Sequence, residues 1–520
     1  MPPTPTQPTV AIAGGGLAGL AAACALADSA FRVTLFEKRP FLGGRASSYE
    51  HPGPNEVIDN CQHVLFRCCT NLLEFYQRIG VEHDIRWYDT MTFVEPGGRS
   101  TVLRASPLPA PLHTAPSLLR FPFLTWADKL ALGRALGPLI FTQLNDDGRS
   151  FQQWLTQHGQ TSGVIENFWK PVLISALSED LDRVSISSAA QIVRLYMKSP
   201  PARHMGVPTV PLTELYNAAG DYIRARGGEL HFRRSIENFQ PEGHAKTSVI
   251  PNRAESPVRN PLFPSPSVTI QSGGEQHAFD YLILALPFDA LDRVLPQAAE
   301  SLPLREMLSH FETSPITGVH LWFDREITEL DHAVLLNRTI QWMFHKSRLQ
   351  RRRKPGVPQD DNAGNGNIRE GHDFSRATAD SAETGAVAPE GSYIELVISS
   401  SKSLIEKSRG EIIDLALAEV REFFPAARQA NLLKSTVVKE LNATYSPRPG
   451  IDAYRPAALT PWPRVFLAGD WTATGWPATM EGAVRSGYLA AQALTRAASC
   501  PANFVVPDLP PTGLMRMFNK

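Results

Sequence analysis

Residues 9–38 read "TVAIAGGGLAGLAAACALADSAFRVTLFEK" and carry the clearest structural signal of the chain. The apolar run Val10–Ala13 predicts a buried strand, the alanine-rich stretch after Gly19 predicts a helix, and Val33–Phe36 predicts a second strand. Glu37 ends this second strand. The succession of strand, glycine-rich turn, helix and strand predicts a βαβ unit, which is the building block of a parallel sheet.

The turn between the first strand and the helix has the glycine spacing that binds the pyrophosphate of a dinucleotide. Gly14 allows the tight turn, Gly16 lets the backbone approach the pyrophosphate, and Gly19 lets helix and strand pack closely. The helix N-terminus offers free N–H groups and its dipole to the anion. Glu37 stands where a carboxylate can bind the ribose hydroxyls. We therefore predict cofactor binding by Gly14, Gly15, Gly16, Leu17, Ala18, Gly19, Glu37 and Lys38.

The composition is that of a globular protein and excludes several kinds of partner. The chain has 520 residues, of which 43% are hydrophobic and 20% charged, and its formal net charge is −1. This balance gives no reason to expect nucleic-acid binding. The five cysteines form no CxxC pair and have no histidine at zinc-ligand spacing, so we expect no metal site.

The sequence also bears on the cellular location. Residues 1–8 have no basic segment followed by an apolar core, which a secretory signal needs. No stretch reaches the roughly 18 consecutive apolar residues of a membrane-spanning helix. We therefore expect a cytoplasmic protein, or one that sits peripherally on a membrane surface.

A second glycine-rich loop narrows the choice of dinucleotide. The stretch "RPFLGGRASSYE" places Gly43, Gly44 and Arg45 just beyond the second strand, and "EVIDNCQHVL" follows it. A nicotinamide-binding fold does not need this second loop. The sequence here resembles the superfamily of FAD-dependent amine oxidases and phytoene desaturases, whose second motif is the same Gly-Gly-Arg. The resemblance implies an FAD cofactor, with Arg45 near the flavin phosphates.

The C-terminal region resembles the terminal FAD motif of the same superfamily. In "RVFLAGD" (464–470), Gly469 and Asp470 are implied to meet the ribityl or pyrophosphate part of FAD. A helix is predicted to begin near Met480 with Thr479 as its cap. Small residues thin its first turns, so that backbone N–H groups can approach the flavin N1–C2=O edge. Further cofactor residues are Met480, Ala483 and, after the strand near 229–232, Ile236; Trp471 and Trp476 are predicted either to cover the ring or to lie in the core.

We predict an α/β fold with a Rossmann-type, glutathione-reductase-like FAD-binding domain and a discontinuous α+β substrate domain. The FAD-binding domain is assigned to residues 9–66, 206–287 and 458–498, and the substrate domain to residues 67–205 and 288–457. Two polar or proline-rich stretches, 241–266 and 346–391, are predicted to be flexible surface insertions. Residues 1–8 and 499–520 are predicted to be tails.

The stretch "PSLLRFPFLTWADKLALGRALGPLIF" (116–141) allows two interpretations. It contains Thr125 and Asp128 at capping-box spacing, which predicts a helix that follows an apolar lead-in. One interpretation is a core helix. The other is a membrane-docking segment at the mouth of a lipid tunnel, with Phe121, Phe123 and Trp126 as interfacial anchors.

Three longer segments resemble one branch of the superfamily, hydroxysqualene dehydroxylase of bacterial hopanoid biosynthesis. They are residues 59–81, 168–189 and 468–494. This resemblance implies a C30 isoprenoid substrate whose hydroxyl is replaced by hydride to give squalene. The alternatives are a phytoene-desaturase-like desaturase of an isoprenoid hydrocarbon, an amine oxidase, and a prenyl-lipid carrier resembling Rab escort proteins. Against an amine oxidase stands Thr479, because amine oxidases usually carry tyrosine before the Met-Glu-Gly-Ala-Val motif.

Removal of an allylic hydroxyl needs an acid near the leaving oxygen and apolar walls elsewhere. His63 is our first candidate for the proton donor and Glu481 the second, whereas Asp59 fits better as a scaffold residue. A single dinucleotide fingerprint and no iron–sulfur cysteine pattern leave two kinds of electron donor open, NAD(P)H at a transient site or a partner protein.

Overall fold

A computed structural model of the chain describes residues 7–51, 56–142, 144–241, 268–351 and 391–518. The strands of these residues are β1 (Thr9–Ala13), β2 (Arg32–Glu37), β3 (Ser48–His51), β4 (Glu56–Asp59), β5 (Leu65–Phe66), β6 (Ile85–Tyr88), β7 (Thr90–Val94), β8 (Ser100–Arg104), β9 (Met205–Pro208), β10 (Glu229–Phe232), β11 (Asn238–Pro241), β12 (Val268–Ser272), β13 (Glu275–Phe279), β14 (Tyr281–Leu284), β15 (Thr313–Phe323), β16 (His332–Leu335), β17 (Trp342–His345), β18 (Tyr393–Ser399), β19 (Leu432–Tyr445) and β20 (Val465–Leu467). The helices are α1 (Leu17–Ala27), α2 (Thr70–Arg78), α3 (Ala115–Leu119), α4 (Trp126–Phe141), α5 (Phe151–Gln157), α6 (Ser162–Val164), α7 (Lys170–Leu177), α8 (Ile186–Met197), α9 (Leu212–Ala225), α10 (Phe288–Val294), α11 (Leu302–Ser309), α12 (Lys346–Arg351), α13 (Arg409–Phe423) and α14 (Met480–Ala497).

The predicted βαβ unit lies at the centre of a five-stranded parallel sheet. The strand order is β10-β2-β1-β14-β20, and every neighbouring pair is parallel. All five strands fall within the three segments predicted for the FAD-binding domain. Helix α1 packs against α14 so closely that a Cβ on Gly487 would lie 2.1 Å from the Ala18 carbonyl oxygen. The parallel sheet with helices against it confirms the Rossmann-type fold class.

A second, seven-stranded sheet forms the base of the other domain. Its order is β19-β15-β18-β17-β16-β7-β8, and the pairs are antiparallel except for β16 with β7. The predicted strand-like runs at 317–324, 339–345 and 392–399 fall on β15, β17 and β18. Helix α13 contributes Ile412, Ala416 and Val420 to the core with β15 and β18. Helices α3 to α8 contribute to a separate apolar core.

The C-terminal segment predicted as a tail packs against the domains over its described part. Gln492 accepts hydrogen bonds from the backbone of Phe504 and Val505, and Asn71 accepts one from Val506. Further on, the Leu514 N–H donates to the Ala110 carbonyl oxygen. Residues 499–517 therefore tie α14 and α2 to the start of the helical region, and the prediction of a tail is wrong for them.

The two predicted insertions fall mainly outside the described residues. Of 241–266 only Pro241 is described, at the end of β11, and of 346–391 only 346–351 and Gly391 are. For 346–351 the prediction of a flexible surface segment is wrong. These residues form α12, and Lys346 is only 6% exposed because its ammonium group binds buried acceptors.

For the segment 116–125 before α4, the structure contradicts the membrane-docking interpretation at two residues. Phe121 and Phe123 are 1% and 9% exposed, so they are core residues and not interfacial anchors. Phe121 makes an edge contact with Phe93 of β7, with ring centroids 5.2 Å apart. Trp126 is 74% exposed, as the docking interpretation expects. The capping box of Thr125 and Asp128 at the start of α4 is confirmed.

Candidate active site

The glycine loop after β1 leaves an open cradle at the N-terminus of α1. Gly14 has a φ of +105° and a Cβ on it would lie 2.5 Å from the Ala285 carbonyl oxygen, while a Cβ on Gly19 would lie 1.9 Å from the Gly14 carbonyl oxygen. At Gly16, by contrast, the nearest protein atom to an added Cβ is the Gly44 Cα at 3.8 Å. Protein packing therefore requires glycine at 14 and 19, and the space at Gly16 is left for a ligand.

This cradle suits an anion. No side chain caps α1, and its first turn carries no acidic residue, so the backbone N–H groups of Leu17 and Ala18 are available to a ligand. Glu37 accepts a hydrogen bond of 2.7 Å from the Gly15 N–H, and Lys38 beside it is exposed. The loop geometry thus fits a dinucleotide pyrophosphate, with Glu37 buried at the end of β2.

The Gly-Gly-Arg loop closes over the first loop. The Gly43 N–H donates to the Gly15 carbonyl oxygen at 2.9 Å, and a Cβ on Gly44, whose φ is +61°, would lie 2.9 Å from the Gly16 Cα. Asn60 holds the Arg45 carbonyl oxygen with its side-chain amide at 2.7 Å. Glycines are therefore required where the two loops touch.

Arg45 joins this loop to the C-terminal motif. Its guanidinium forms an ion pair with Asp470 and donates to the Ala443 carbonyl oxygen at 3.1 Å. Gly469 precedes Asp470 with a φ of +151°, and a Cβ there would lie 2.4 Å from the indole nitrogen of Trp471. The Gly-Gly-Arg motif near the start of the chain and the Gly-Asp motif near its end, both predicted to bind FAD, are thus in direct contact.

The loop between β20 and α14 is organised by Arg455, which sequence reasoning missed. Its guanidinium donates to the carbonyl oxygens of Thr472 and Trp476 at 2.6 Å and to that of Asp470 at 3.2 Å. The Arg455 side chain is 6% exposed. Trp471 and Trp476 are 1% and 4% exposed, and each packs in a hydrophobic core. Of the two predictions for them, cover over the flavin ring or a place in the core, the structure supports the core.

Helix α14 begins as the sequence predicts. The Thr479 hydroxyl accepts a hydrogen bond from the Gly482 N–H and caps the helix. Met480 and Ala483 are half-buried on its first turn. Ile236 is 4% exposed in the core beside the parallel sheet, next to the segment that Arg234 ties to the Glu37 carbonyl oxygen.

Glu481 has a structural role. One carboxyl oxygen accepts hydrogen bonds from the Asn71 backbone and side chain, and the other accepts from the Leu72 N–H at 2.8 Å. Its carboxylate thereby caps the first turn of α2, where the helix dipole favours a negative charge. Burial raises its pKa. With both oxygens engaged by α2, the structure gives no support to Glu481 as a proton donor.

A large apolar cavity opens beside these loops, within the substrate domain. Its empty volume, counting its open mouth, is about 1000 Å³. Most of its wall is aliphatic or aromatic, with residues such as Phe66, Phe93, Phe168, Trp342, Phe344 and Val397. Among the described residues no aspartate or glutamate lines it. Gln62, three residues after the buried strand end at Asp59, brings the cavity wall to the Gly-Gly-Arg region.

Behind Gln62 lies a buried polar cluster, which we define as Asp59, Gln62, His320, Lys346, Tyr393 and Glu395. The Lys346 ammonium donates to Asp59 at 2.6 Å and to Gln62 at 2.7 Å, and it lies 3.5 Å from Glu395. Burial raises the pKa of Asp59, but the Lys346 charge and hydrogen bonds outweigh this, and the pKa lies below its ordinary value. Asp59 is thus a scaffold residue, as predicted.

Glu395 and His320 are the unsatisfied members of the cluster. Both are 0% exposed, and among the described residues neither the carboxyl oxygens of Glu395 nor Nε2 of His320 make a hydrogen bond of good geometry, the Lys346 ammonium being 3.5 Å from Glu395. Burial raises the pKa of Glu395 to about 8 and lowers the pKa of His320 to about 3. At neutral pH both groups are therefore uncharged, so the cluster holds one cation, Lys346, and one anion, Asp59.

His63 lies on the loop next to Gln62. Its Nδ1 is 2.7 Å from the Cys61 carbonyl oxygen, which can only accept, so Nδ1 carries a proton. Burial lowers the pKa of His63, and the neutral ring therefore has its lone pair at Nε2. In this form His63 accepts a proton and does not donate one from Nε2. Its predicted catalytic role stays a prediction.

Sequence reasoning missed Arg455 and the members of the cluster that lie outside the motifs. Lys346 stood in a basic run, which usually indicates a solvated face. His320 is the one imidazole in the run "TGVHLWFD", and Glu395 is the one carboxylic acid in the run "SYIELVIS". A charged or imidazole side chain inside an otherwise apolar strand was the signal that could have found them.

Comparison with known proteins agrees with this geometry. The profile of a family described as "Flavin containing amine oxidoreductase" matches residues 17–495. A probable zeta-carotene desaturase of Synechococcus elongatus is 28% identical, with 95% of this chain and 100% of that protein covered. A 15-cis-phytoene desaturase of the same organism is 26% identical, with 93% and 95% covered.

The fold itself is shared with a solved putrescine oxidase in complex with putrescine. The two structures superpose with a TM-score of 0.63 at 15% identity over 95% of this chain and 98% of that one. The family profile confirms FAD as the cofactor, and the cradle at Gly16, the paired glycine loops and the Arg45–Asp470 contact are the features of this chain that fit it. None of the helices in the described residues has the length and apolar character to cross a bilayer.

Proposed function

The chain belongs to the family of flavin containing amine oxidoreductases, and from this premise we propose that it is an FAD-dependent desaturase of a long isoprenoid chain. The observation that carries the proposal is the cavity of about 1000 Å³ with its predominantly hydrocarbon wall. Such a cavity binds an apolar chain by removing its surface from water, at roughly 25 cal/mol per Å². The names of the carotene desaturases that resemble the chain over most of its length support the same substrate class.

The charges around the cavity argue against an amine substrate. An ammonium group needs a carboxylate or an aromatic cage. The described wall contains no acidic residue, and it includes the cationic Arg203, while the cationic Lys346 lies directly behind Gln62. Arg203 repels an ammonium group, whereas Asp59 balances the charge of Lys346. Thr479, in the place where amine oxidases usually carry tyrosine, is used as a helix cap.

Desaturation of a C–C bond removes the equivalent of a hydride and a proton from adjacent carbons. FAD, when bound, supplies the two-electron acceptor for the hydride equivalent. His63 would take up the proton at Nε2, because the Cys61 carbonyl oxygen fixes the tautomer that leaves this nitrogen unprotonated. The apolar wall excludes water from the reacting carbons. Gln62 is held by Lys346 and so fixes the loop that carries His63.

Reductive dehydroxylation of hydroxysqualene is a second candidate, favoured by one observation. It requires an acid that can protonate the leaving hydroxyl. The raised pKa of Glu395, about 8, keeps this acid protonated at neutral pH, but it lies behind the cavity wall, so a proton from it would have to pass through Lys346 and Gln62. The curated relatives reported above bear the names of desaturases and not of dehydroxylases.

A prenyl-lipid carrier is the alternative without chemistry. A carrier has no need of a flavin cradle. In this chain the open space at Gly16, the glycines where the two loops touch and the Arg45–Asp470 pair are all retained. These features favour an enzyme.

The test is anaerobic mixing of the purified FAD-loaded protein with detergent-dispersed phytoene, zeta-carotene or putrescine. We expect the flavin absorbance to bleach with a polyene, because the flavin is reduced, and the product spectrum to be red-shifted. Putrescine should have no effect. Photoreduced protein with hydroxysqualene tests the second candidate through squalene formation. Bleaching by the amine alone, or no bleaching by either polyene, would overturn the desaturase proposal.

We further propose that the substrate enters from a membrane surface. Leu112, Leu119, Trp126 and Leu130 are 47%, 52%, 74% and 59% exposed and lie on the stretch that leads into and forms α3 and α4. Between residues 104 and 141 the acidic residue is Asp128, which is buried in the capping box, whereas Arg104, Arg120, Lys129 and Arg134 are all basic. We call Leu112, Leu119, Trp126 and Leu130 the exposed apolar surface. An apolar surface with basic residues suits an anionic bilayer.

A further inference from the structure

One part of the apolar cavity carries a buried cation that no acid neutralises. Arg203 ends the short helical turn Pro200–Arg203, lines the cavity and is 4% exposed. Its Nη2 donates to the Leu103 carbonyl oxygen at 3.0 Å. Its Nη1 is buried and has no hydrogen-bond partner among the described residues. Arg203 also forms no ion pair with any of the residues that the structure describes.

The protonated state of this group follows from its surroundings. Burial lowers the pKa of Arg203 only to about 10, so the guanidinium is charged at neutral pH. Exposed Asp89 acts on it through space and is not hydrogen-bonded to it. His113 beside it is 0% exposed, and burial together with the Arg203 charge lowers its pKa to about 4. This end of the cavity therefore has a net positive charge.

A buried cation without a partner strongly destabilises the folded state. A wall made only to hold a hydrocarbon would be more stable with a methionine or leucine of similar volume at this position. The neighbouring wall residues Leu103, Leu118 and Met197 are of that kind. Thr114 and Tyr196 also line the cavity, and Thr114 is the neighbour in sequence of His113.

Arg203 lies beside the Phe66 part of the cavity wall, because Met205, two residues after it, pairs with Phe66. Gln62 marks the flavin end, and the wall then runs through Val64 to Phe66, a span of at most about 13 Å for four residues. Phe66 contacts Tyr196, with ring centroids 5.0 Å apart, on the helix that precedes the Arg203 turn. The same end is closed by Leu118 of α3, whose neighbour Leu119 belongs to the exposed apolar surface. Arg203 thus lies on the part of the wall that also contains Phe66, Tyr196 and Leu103.

From this placement we propose that Arg203 binds an anionic oxygen head group, a carboxylate or a phosphate, of an isoprenoid ligand whose chain extends through the cavity towards Gln62. The inference rests on the proposed isoprenoid specificity and adds a head group to the ligand class. Nη1 supplies the free donor, and an oxyanion is the acceptor that also compensates the charge. The orientation is that of an amphiphile entering from a bilayer, with its head nearest the surface.

The test measures dissociation constants on the FAD-loaded protein by quenching of its tryptophan fluorescence, because Trp342 lines the cavity. The probes are geranylgeranoic acid, geranylgeranyl diphosphate and uncharged geranylgeraniol, which share one chain length. We expect at least one of the two anions to bind at least tenfold more tightly than the alcohol. The arms distinguish a carboxylate site from a phosphate site. Equal affinities for all three would overturn the proposal without any variant.

Variants then assign the preference to Arg203. In Arg203→Met the ratio of anion to alcohol affinity should fall to near one, and in Arg203→Lys it should be reduced but retained. Arg293→Met is the matched control, because Arg293 is exposed on α10 and does not line the cavity, and it should keep the ratio. A ratio unchanged in Arg203→Met would overturn the assignment. Bleaching of the flavin by a polyene reports separately on the desaturase proposal, so that either result can fail alone.

Discussion

At the scale of single residues, Gly16 and Gly19 lie in one loop but face different surroundings. A side chain at Gly16 would point into open space, and one at Gly19 would collide with the Gly14 carbonyl oxygen. We predict that Gly16→Val abolishes FAD binding while the unfolding free energy of the apoprotein changes by less than about 1 kcal/mol. Gly19→Ala should lower that free energy by about 1–3 kcal/mol through overpacking. Flavin absorbance and urea unfolding measure the two effects, and FAD retained in Gly16→Val would refute the pyrophosphate site.

The buried carboxyl of Glu395 gives the second residue-scale prediction, on pH. Its pKa is raised from an ordinary 4.5 to about 8, so the folded state binds this proton more tightly than the unfolded state. The contribution of Glu395 to stability is therefore greatest at or below pH 4.5 and falls as the pH rises towards 8. We expect Glu395→Gln to gain on the order of 2–3 kcal/mol over the wild type between pH 5.5 and 8.5. Urea unfolding at both pH values measures this.

Two details make this pH prediction specific. Asp59 has a lowered pKa and Lys346 a raised one, so neither titrates between pH 5.5 and 8.5, and His320, with its pKa of about 3, stays neutral there. Exposed Glu329 provides the control, since Glu329→Gln should keep the wild-type pH dependence. If the wild type and Glu395→Gln show parallel pH profiles, Glu395 is ionised in the folded protein and the acid proposed for dehydroxylation is absent.

At the scale of elements, the loop between β20 and α14 depends on one distant side chain. Arg455 holds the carbonyl oxygens of Asp470, Thr472 and Trp476, and none of these oxygens is held by a neighbouring strand of the parallel sheet. We predict that Arg455→Gln weakens FAD binding by about tenfold or more, because the loop that carries Asp470 loses its fixed shape at a cost of about 1–3 kcal/mol per unpaired buried group. Titration of the apoprotein with FAD gives the dissociation constant.

The matched controls separate loop order from charge. Arg455→Lys keeps the charge but not the planar guanidinium, so we expect its FAD affinity to lie between those of the wild type and Arg455→Gln. Arg464→Gln removes a cation that packs on Tyr281 and does not contact the loop, and its FAD affinity should stay at the wild-type value. Equal FAD affinity in Arg455→Gln and the wild type would show that the loop keeps its shape without this contact.

The elements that sequence patterns predicted are those whose signals are local. The βαβ unit and its glycine loop lie within residues 9–38, and the Thr125–Asp128 capping box lies within a single turn. In both cases the residues that make the structure are neighbours in the chain. Propensity, spacing and capping therefore predict them without knowledge of the tertiary fold.

The features that sequence patterns failed to predict depend on distant partners. Lys346 meets Asp59 across 287 positions, and a basic run alone indicates solvent. Phe121 and Phe123 have the same aromatic character as interfacial anchors, and their packing with distant elements, such as the contact of Phe121 with Phe93 of β7, makes them core residues. Because these outcomes depend on which elements pack together, the composition of the segment alone does not decide them.

At the scale of the whole molecule, the two sheets divide the work. The parallel sheet positions the FAD loops, and the seven-stranded sheet carries Trp342, Phe344 and Val397 into the wall of the cavity. Gln62 and its neighbours connect the two, since they follow the hairpin of β3 and β4 and are fixed by Lys346 from the second domain. The helices α3 and α4 lie on the outer side, where Leu118 faces the cavity and Leu119 faces solvent. The proposed entry of a ligand from a membrane would therefore pass α3, which borders both the cavity and the exposed apolar surface.

The final prediction tests this route through the exposed apolar surface. Trp126 and Leu130 stand one helical turn apart on α4, are 74% and 59% exposed, and Lys129 lies 4.8 Å from the Trp126 ring centroid. We expect Trp126→Ser with Leu130→Ser to lower co-sedimentation with anionic vesicles by about thirtyfold, which corresponds to roughly 2 kcal/mol of lost apolar burial. FAD content and thermal stability should not change, because both side chains are exposed.

Two comparisons make the outcome of this membrane test decisive. Leu433→Ser with Leu459→Ser removes leucines that are 58% and 66% exposed elsewhere on the molecule, and this control should bind vesicles like the wild type. Phe121→Glu should instead unfold the protein, because Phe121 is 1% exposed in the core. Turnover of vesicle-embedded substrate should fall in the Trp126/Leu130 variant, and turnover of detergent-dispersed substrate should not. If vesicle binding is unchanged in this variant, Trp126 and Leu130 do not contact the membrane, and the entrance lies on another face.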